Sequence, residues 1–419
     1  MPRDDFPGPA VPAPRGRWLV AVTEYAGLTG YTGGIGRHYA SLLPALARGG
    51  AEVDLLVLPD GPLPATADLG PVHLLPASRT SHGPRPVALL RRALAVRRAY
   101  RAGSYDRVLL PEWGALGVAL PRRAPLLTNL ATSTRLTTEV SGFTLRSFGP
   151  RGALVTALQI ALEDRQVRRS AGLVPISRAM QRWTERRFRA LPPARVVRNC
   201  IDVERVRAAA EVAPLPQGWP PADGPVVLFL GRLERRKGVT DAFAAFADVA
   251  VRHPTARLVL AGASGDRRFE PDRPALLAAL PPDARDRVTW LGHVDDDTLY
   301  RGVREAAVTL CPSRWEGFGN AALEAKAIGS AVVVTTGSGY DDFCTDGVDA
   351  RMVPPADPAA LAAAVDALLT DPATAAAIGA RARAGADAYT ADAVAVDVLA
   401  AADALLGPAD GPGGPRAQA

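Results

Sequence analysis

An apolar run passing into a loop and then a helix recurs along the whole chain, and nothing else in it constrains the fold as much. "RWLVAVT" (17–23) leads through "GLTGYTGGIGRH" into a helix that the pattern starts near Gly36 and stops at Gly49-Gly50. "AEVDLLVLP", "YDRVLLPEW", "APLLTNLATST" and "LVPIS" continue as strands, separated by helical stretches such as "VALLRRALAVRRAYRAG" and "GALVTALQIALEDRQVRRSAG". Strands and helices alternating at this length imply an α/β chain with a mostly parallel sheet covered on both faces. The pattern breaks at "RAAAEVAPLPQGWPPADGP" (207–225), which holds five prolines, and then restarts at "VVLFL" (226–230). Two doubly wound, Rossmann-like domains in tandem are therefore expected, with a cleft outside the carboxyl ends of their strands, where open α/β sheets bind ligands.

Length supports two cores: 419 residues exceed one ordinary domain. The expected boundaries are a disordered tail over 1–15, a first domain over 16–206, a linker over 207–224, and a second domain over 225–391. A helix over 392–406 follows, then a disordered tail over 407–419. The tails, "MPRDDFPGPAVPAPRG" and "GPADGPGGPRAQA", are rich in proline and glycine without periodicity. No run of about 20 uncharged apolar residues is present, and prolines and aspartates occupy the region where a signal peptide would carry its basic and apolar blocks. Three scattered cysteines, Cys200, Cys311 and Cys344, fit a reducing compartment better than a disulfide framework. A cytoplasmic protein is expected, with peripheral contact at the inner membrane face as the lesser alternative.

The net charge of +6 is carried almost wholly by arginine, since Lys237 and Lys326 are the two lysines. Codon bias in a GC-rich genome accounts for that. In such a chain a lysine still draws attention, because a compact ammonium and a planar guanidinium are not interchangeable. Lys237 lies in "GRLERRKG" (231–238), directly after a buried strand and before a helix. Gly231 admits close backbone approach, and Arg232 and Lys237 suit a diphosphate, one as a fork and one as a point charge. A solvated basic loop gives the same pattern. The second motif, "PSRWEGFGNAALEA" (312–325), follows the strand "TLCPS" and enters a helix near Asn320. Backbone N–H groups at a helix start, approached over glycines, form an anion site. Glu316 precedes that turn and Glu324 follows it by about one helical turn, which suits a sugar on one side of a diphosphate and a ribose diol on the other. A helix-terminal acid and a solvated helix residue would read alike.

Together, "GRLERRKG" and "PSRWEGFGNAALEAKAIGSAVVVT" resemble the family 4 retaining glycosyltransferases of the GT-B fold, and the likeness spans residues 17 to 405. The resemblance implies two Rossmann-like domains facing across a cleft, with the nucleotide-sugar on the second. It assigns Arg232 and Lys237 to the diphosphate, Glu316 to the donor sugar and Glu324 to the ribose. Gly231, Gly317, Phe318, Gly319 and Asn320 complete the donor turn. "WLGHVDDDTL" is similar to the segment against the nucleobase, implicating His293 and Val294. "GGIGRH" (33–38) is similar to the first-domain glycine loop, implicating Gly33 and Gly34. The chain departs from the family at Cys200, where glycine is usual, and in "LTNLATST" (127–134), where the usual histidine is missing. Ala131 stands nearest its place, and Asn129, Thr132 and Ser133 are the polar substitutes. Catalysis is thereby assigned to Arg232, Lys237 and Glu316, with a possible first-domain site at Gly33, Asn129, Thr132 and Ser133.

The resemblance implies transfer of a sugar from a nucleoside diphosphate donor to an acceptor hydroxyl, with retention. No cofactor beyond the nucleotide-sugar co-substrate and no metal is expected. The five histidines show no metal spacing, and Asp295–Asp297 read as a helix start, where acids are favoured in any case. The alternatives are a pseudo-glycosyl coupling enzyme or a non-catalytic nucleotide-sugar-binding partner subunit. Nucleic acid is not expected as a partner, for no binding module is present. The arginines at 91, 92, 97, 98 and 101 read more simply as a solvated helix face than as a membrane surface.

Overall fold

The computed structural model describes residues 15–30, 33–61, 63, 69–76, 84–266 and 270–409. Most of each expected tail, residues 1–14 and 410–419, lies outside the described residues. In chain order the first half holds β1 (Arg17–Val22), α1 (Gly34–Arg48), β2 (Glu52–Val57), β3 (His73–Leu74), α2 (Arg85–Ala102), β4 (Arg107–Pro111), β5 (Leu126–Leu130), α3 (Thr134–Val140), α4 (Gly149–Arg169), β6 (Gly172–Pro175) and α5 (Arg178–Arg187). The second half holds α6 (Val203–Val212), β7 (Val226–Leu230), α7 (Val239–Arg252), β8 (Arg257–Ala261), α8 (Arg273–Leu277), β9 (Val288–Gly292), α9 (Asp296–Glu305), β10 (Val308–Cys311), α10 (Asn320–Ile328), β11 (Val332–Thr335), β12 (Arg351–Val353), α11 (Pro358–Thr370), α12 (Pro372–Gly385) and α13 (Ala391–Leu406).

The strands form two six-stranded parallel sheets with one topology, β3-β2-β1-β4-β5-β6 and β12-β11-β10-β7-β8-β9. This is the doubly wound order, and its crevice opens where the chain reverses direction across the sheet. In the first sheet that point lies between β1 and β4, in the second between β7 and β10. Central strands are apolar on both faces because helices cover both: every residue of β7, "VVLFL", is buried.

The expected linker begins inside a helix. Residues 207–212 belong to α6, whose Val206, Ala209 and Ala210 are buried in a cluster shared with Leu323 and Ile328 of α10. The prolines after Ala213, read as one break with the residues before them, end that helix, while its apolar face is held by the second half. The last helix, α13, packs on α1, and its Val394, Val398 and Leu399 fill the core beneath the first sheet.

Candidate active site

The loops after β7 and β10 leave the second sheet side by side, and one glycine sets how closely. Gly238 has φ +78°, and a Cβ there would come 2.0 Å from the Pro312 carbonyl. With glycine, the 3-10 turn Arg235–Lys237 is pressed onto the β10 loop, and Lys237 Nζ donates to Glu316 Oε2 in a close ion pair. Both side chains are about four-fifths buried (20% and 19% exposed). Ser313 Oγ donates to the same Glu316 oxygen at 3.3 Å, and Tyr340 donates to Ser313 Oγ at 3.3 Å. Burial pushes the Glu316 carboxyl up, but the Lys237 ammonium and its hydrogen bond outweigh it and hold the group below the ordinary carboxylate range. Glu316 is therefore an anion beside a cation, at the switch point of the sheet.

Arg232 is half exposed and pairs with Glu234 at 2.9 Å; Glu234 also holds Arg236 at 2.7 Å. Arg314, next in the β10 loop, is locked onto Asp241 of α7 by two bonds of 3.0 and 2.9 Å. Gly231 follows β7 with φ +144°. The turn Gly317–Asn320 delivers the N-terminus of α10 into the crevice, with Gly319 as left-handed N-cap and Phe318 buried beneath it. Glu324, 8% exposed on α10, is hydrogen-bonded by Tyr300, and burial raises its carboxyl above the ordinary range against the opposing pull of Arg37. A carboxyl with a raised folded-state pKa withdraws stability as pH climbs through that value. Glu324→Gln is thus expected to gain melting temperature over the wild type as pH is raised from the ordinary carboxylate range upward, in a ligand-free thermal melt series. A constant offset across the series would contradict that assignment.

The first half meets the second at this turn. Asn320 Nδ2 donates to the Gly34 carbonyl at 3.5 Å, and Asn199 Nδ2 donates to Asn320 Oδ1 at 3.1 Å. Ser177 Oγ donates to the Gly317 carbonyl at 2.6 Å. Arg37 of α1 pairs with Asp296 of α9 at 2.9 Å. The three acids at the start of α9 are each engaged: Asp295 caps the helix, Asp296 holds Arg37 and Asp297 holds Arg205. Among the described residues no group of three or more His, Cys, Asp or Glu is arranged to hold a metal ion.

Several motif residues sit elsewhere than the crevice chemistry would ask. The Gly33 N–H donates to Glu24 Oε2 and the Gly36 N–H to Glu24 Oε1, both at 3.0 Å, so the start of α1 already carries a carboxylate. Asn129 is buried and bonded to the Val174 carbonyl at 3.0 Å, with Tyr39 at 3.4 Å. Ser133 caps α3, and Thr132 meets Thr137 at 3.3 Å. The three polar substitutes are thus engaged in local structure. Ala131 does lie against the Gly317–Asn320 turn, its carbonyl 3.1 Å from where a Gly317 Cβ would stand. His293 is exposed, and Val294 packs partly on the second-half core. Cys200 is buried, its Sγ 3.4 Å from His38 Nδ1 and its backbone N–H donating to that nitrogen at 3.2 Å. Ser313, Tyr340, Ser177 and Asn199 were not singled out by the sequence reading. Ser313 carried a signal in its place between a buried strand and Glu316; the others became visible only in the packing of separate loops.

Residues 216–385 match the model of Glycosyl transferases group 1, and residues 32–205 match that of Glycosyltransferase Family 4. The chain is similar to glycogen synthase of Mycobacterium tuberculosis, 34% identical over 218 residues, covering 51% of this chain and 49% of that protein. It thus spans about half the length of that curated relative. In fold it is similar to sucrose-phosphate synthase from Thermosynechococcus elongatus (TM-score 0.72, 23% identity, 92% of this chain and 97% of that one). It is also similar to HepE of Anabaena, solved in complex with UDP-glucose (TM-score 0.65, 16% identity, 92% and 99%).

Proposed function

Because the chain belongs to the family 4 and group 1 glycosyltransferases and has their GT-B fold, we propose that it moves a sugar from a nucleoside diphosphate donor to an acceptor hydroxyl with retention. The observation that carries this reading is the Lys237–Glu316 pair at the β7/β10 switch point, beside the glycine turn that opens α10. On this reading Lys237, Arg232 and the N–H groups of the Gly317–Asn320 turn take up the charge that develops on the departing diphosphate. Such prepositioned donors act where charge appears in the transition state. The bond from the anomeric carbon to the phosphate oxygen breaks, and the bond to the acceptor oxygen forms on the same face. The acceptor's proton passes to the departing phosphate oxygen. Glu316 orients the sugar hydroxyls and Lys237, and Glu324 accepts from the ribose diol. With two cations serving the diphosphate, no divalent metal is required. Among the described residues no single helix is long and apolar enough to cross a membrane, and a cytoplasmic setting is part of the proposal.

The test is a thermal-shift panel of UDP, GDP, ADP and dTDP with their glucose or mannose conjugates, on wild type and Glu324→Ala. A nucleotide at 100 times its Kd stabilises the folded state by about 2.7 kcal/mol, so the matching base stands out from the others. Loss of the carboxylate is expected to weaken that nucleotide about 10–100-fold. If no nucleotide stabilises the wild type, the donor site is wrong. An undiminished shift in the variant removes the ribose role of Glu324 alone.

A further inference from the structure

The two sheets share one strand order, so each has its own switch point, and only the second has been given a use. In the second, the loop after β10 carries Glu316 to a cation. In the first, the residue directly after β4 is Glu112, 3% exposed. Its backbone N–H donates to the Asn129 carbonyl of β5 at 3.0 Å. That places it beside the strand that runs into Ala131, whose carbonyl faces the donor turn at Gly317.

The surroundings of Glu112 are the reverse of those of Glu316. Among the described residues no cation pairs with it, and its Oε1 is buried without a hydrogen-bond partner. Glu163 of α4 lies close and takes four donors: Gly114 N–H at 3.0 Å, Thr134 N–H at 2.7 Å, Thr134 Oγ1 at 2.9 Å and Gln159 Nε2 at 2.8 Å. Burial raises the Glu163 carboxyl above the ordinary range, and those donors oppose the rise. Burial, and after it the nearby Glu163 and Asp164, push the Glu112 carboxyl well above the ordinary range, with no donor to its Oε1 to oppose it. The turn that follows is held under strain. Gly114 has φ +77°, and Ala115, which has a side chain, has φ +52°. Such a residue costs on the order of 1–3 kcal/mol and persists where its surroundings impose it. An apolar side chain at 112 would avoid the desolvation that an unpaired carboxyl incurs, so packing alone gives no reason for the acid.

We propose that Glu112 is the residue that recognises the acceptor: its buried, unpartnered carboxyl hydrogen-bonds a hydroxyl of an uncharged polyol beside the donor turn, and the acid pair Glu112 and Glu163 turns phosphate-bearing acceptors away. This rests on the donor-site reading above. A hydroxyl can donate to a carboxyl oxygen and accept from a carboxyl O–H, and so completes its bonding without bringing in charge. A phosphate ester would enter beside two buried acids with no cation to pair it, which is costly.

The test uses the full chain, the nucleotide-sugar that stabilises it most in the panel, and methyl glycosides and cyclitols beside their monophosphates. Transfer to neutral polyols is expected to exceed transfer to the matching phosphates by about 10-fold or more. Glu112→Leu is expected to raise the acceptor KM by about 10–100-fold with the donor KM and the slow release of sugar to water unchanged. Glu112→Gln, which keeps one donor and one acceptor, should stay within a few-fold of wild type. Should Glu112→Leu fail to fold, judged by its nucleotide thermal shift, Glu112→Asp, which withdraws the carboxyl, is read in the same way. An unchanged acceptor KM overturns the proposal. So does Glu112→Gln as impaired as Glu112→Leu, preference for phosphates, or no transfer to any neutral polyol while donor is bound and hydrolysed. A wild type that binds no nucleotide fails at the donor site instead.

Discussion

Lys237→Met is expected to lower sugar transfer by about 10²–10³-fold, the loss seen when one prepositioned charge donor is removed from a transition state. The variant also leaves Glu316 about four-fifths buried without its cation, and breaking a buried pair from one side costs about 3–5 kcal/mol. A drop in activity alone would therefore be ambiguous, because a weakened fold gives one too. The double variant Lys237→Met, Glu316→Gln separates the two. Its site carries no unpaired charge, so its melting temperature should return toward the wild-type value, while transfer stays as low as in the single variant or falls further. The pH dependence carries the same message. Wild-type Glu316 is held ionised by Lys237, and a group with a lowered folded-state pKa gives stability above its unfolded pKa that is lost as pH falls through the folded value. In Lys237→Met only Arg236 and the Ser313 hydrogen bond still oppose burial, so that acid-side loss should shrink in a melt series. Recovery of activity with stability in the double variant would show that Lys237 serves only to neutralise Glu316.

How far the sequence discloses this site depends on whether its parts are contiguous. The Lys237 and Glu316 loops could be read because each sits in one short motif between a buried strand and a helix, and strand-end loops of parallel sheets converge. The parallel sheets themselves could be read because strands such as β7 are apolar on both faces. The break after residue 206 was placed too early because proline content marks where a helix cannot continue, while α6 is held by apolar contacts with α10 that lie over a hundred residues away. For the same reason the local bonding of the first-half polar residues was not legible: Asn129 near the end of β5 and Ser133 after it have the chemistry expected of a site, and backbone groups nearby engage both. Glu112 was equally visible in "PEWG". Its meaning comes from Glu163, about fifty residues on, which takes four donors while the Glu112 Oε1 takes none.

Gly339→Ala is expected to cost about 10²-fold in kcat/KM for transfer, although residue 339 lies outside both motifs. It sits in a 3-10 turn after β11, and its N–H donates to the Glu316 carbonyl at 2.9 Å. A Cβ there would stand 2.3 Å from the Gly317 carbonyl oxygen and 2.5 Å from the Phe318 Cα. Those are backbone atoms, so no side-chain rotation relieves the overlap, and the donor turn itself has to move. A shift of about 1 Å in a positioning element is worth about 10²-fold in rate. Gly337→Ala is the matched control. Gly337 has φ +81° with nothing near a Cβ, so alanine there strains the backbone by on the order of 1 kcal/mol without pressing on Gly317. The pair is read by far-ultraviolet circular dichroism, nucleotide thermal shift and steady-state transfer. The expected result is two folded proteins, with only Gly339→Ala losing transfer and nucleotide affinity together, because Glu316 and the start of α10 are displaced as one piece. Equal losses in both would assign the effect to flexibility of the 336–342 turn. An active Gly339→Ala would mean that the turn Gly317–Asn320 tolerates displacement, and so that its N–H groups do not hold the phosphate.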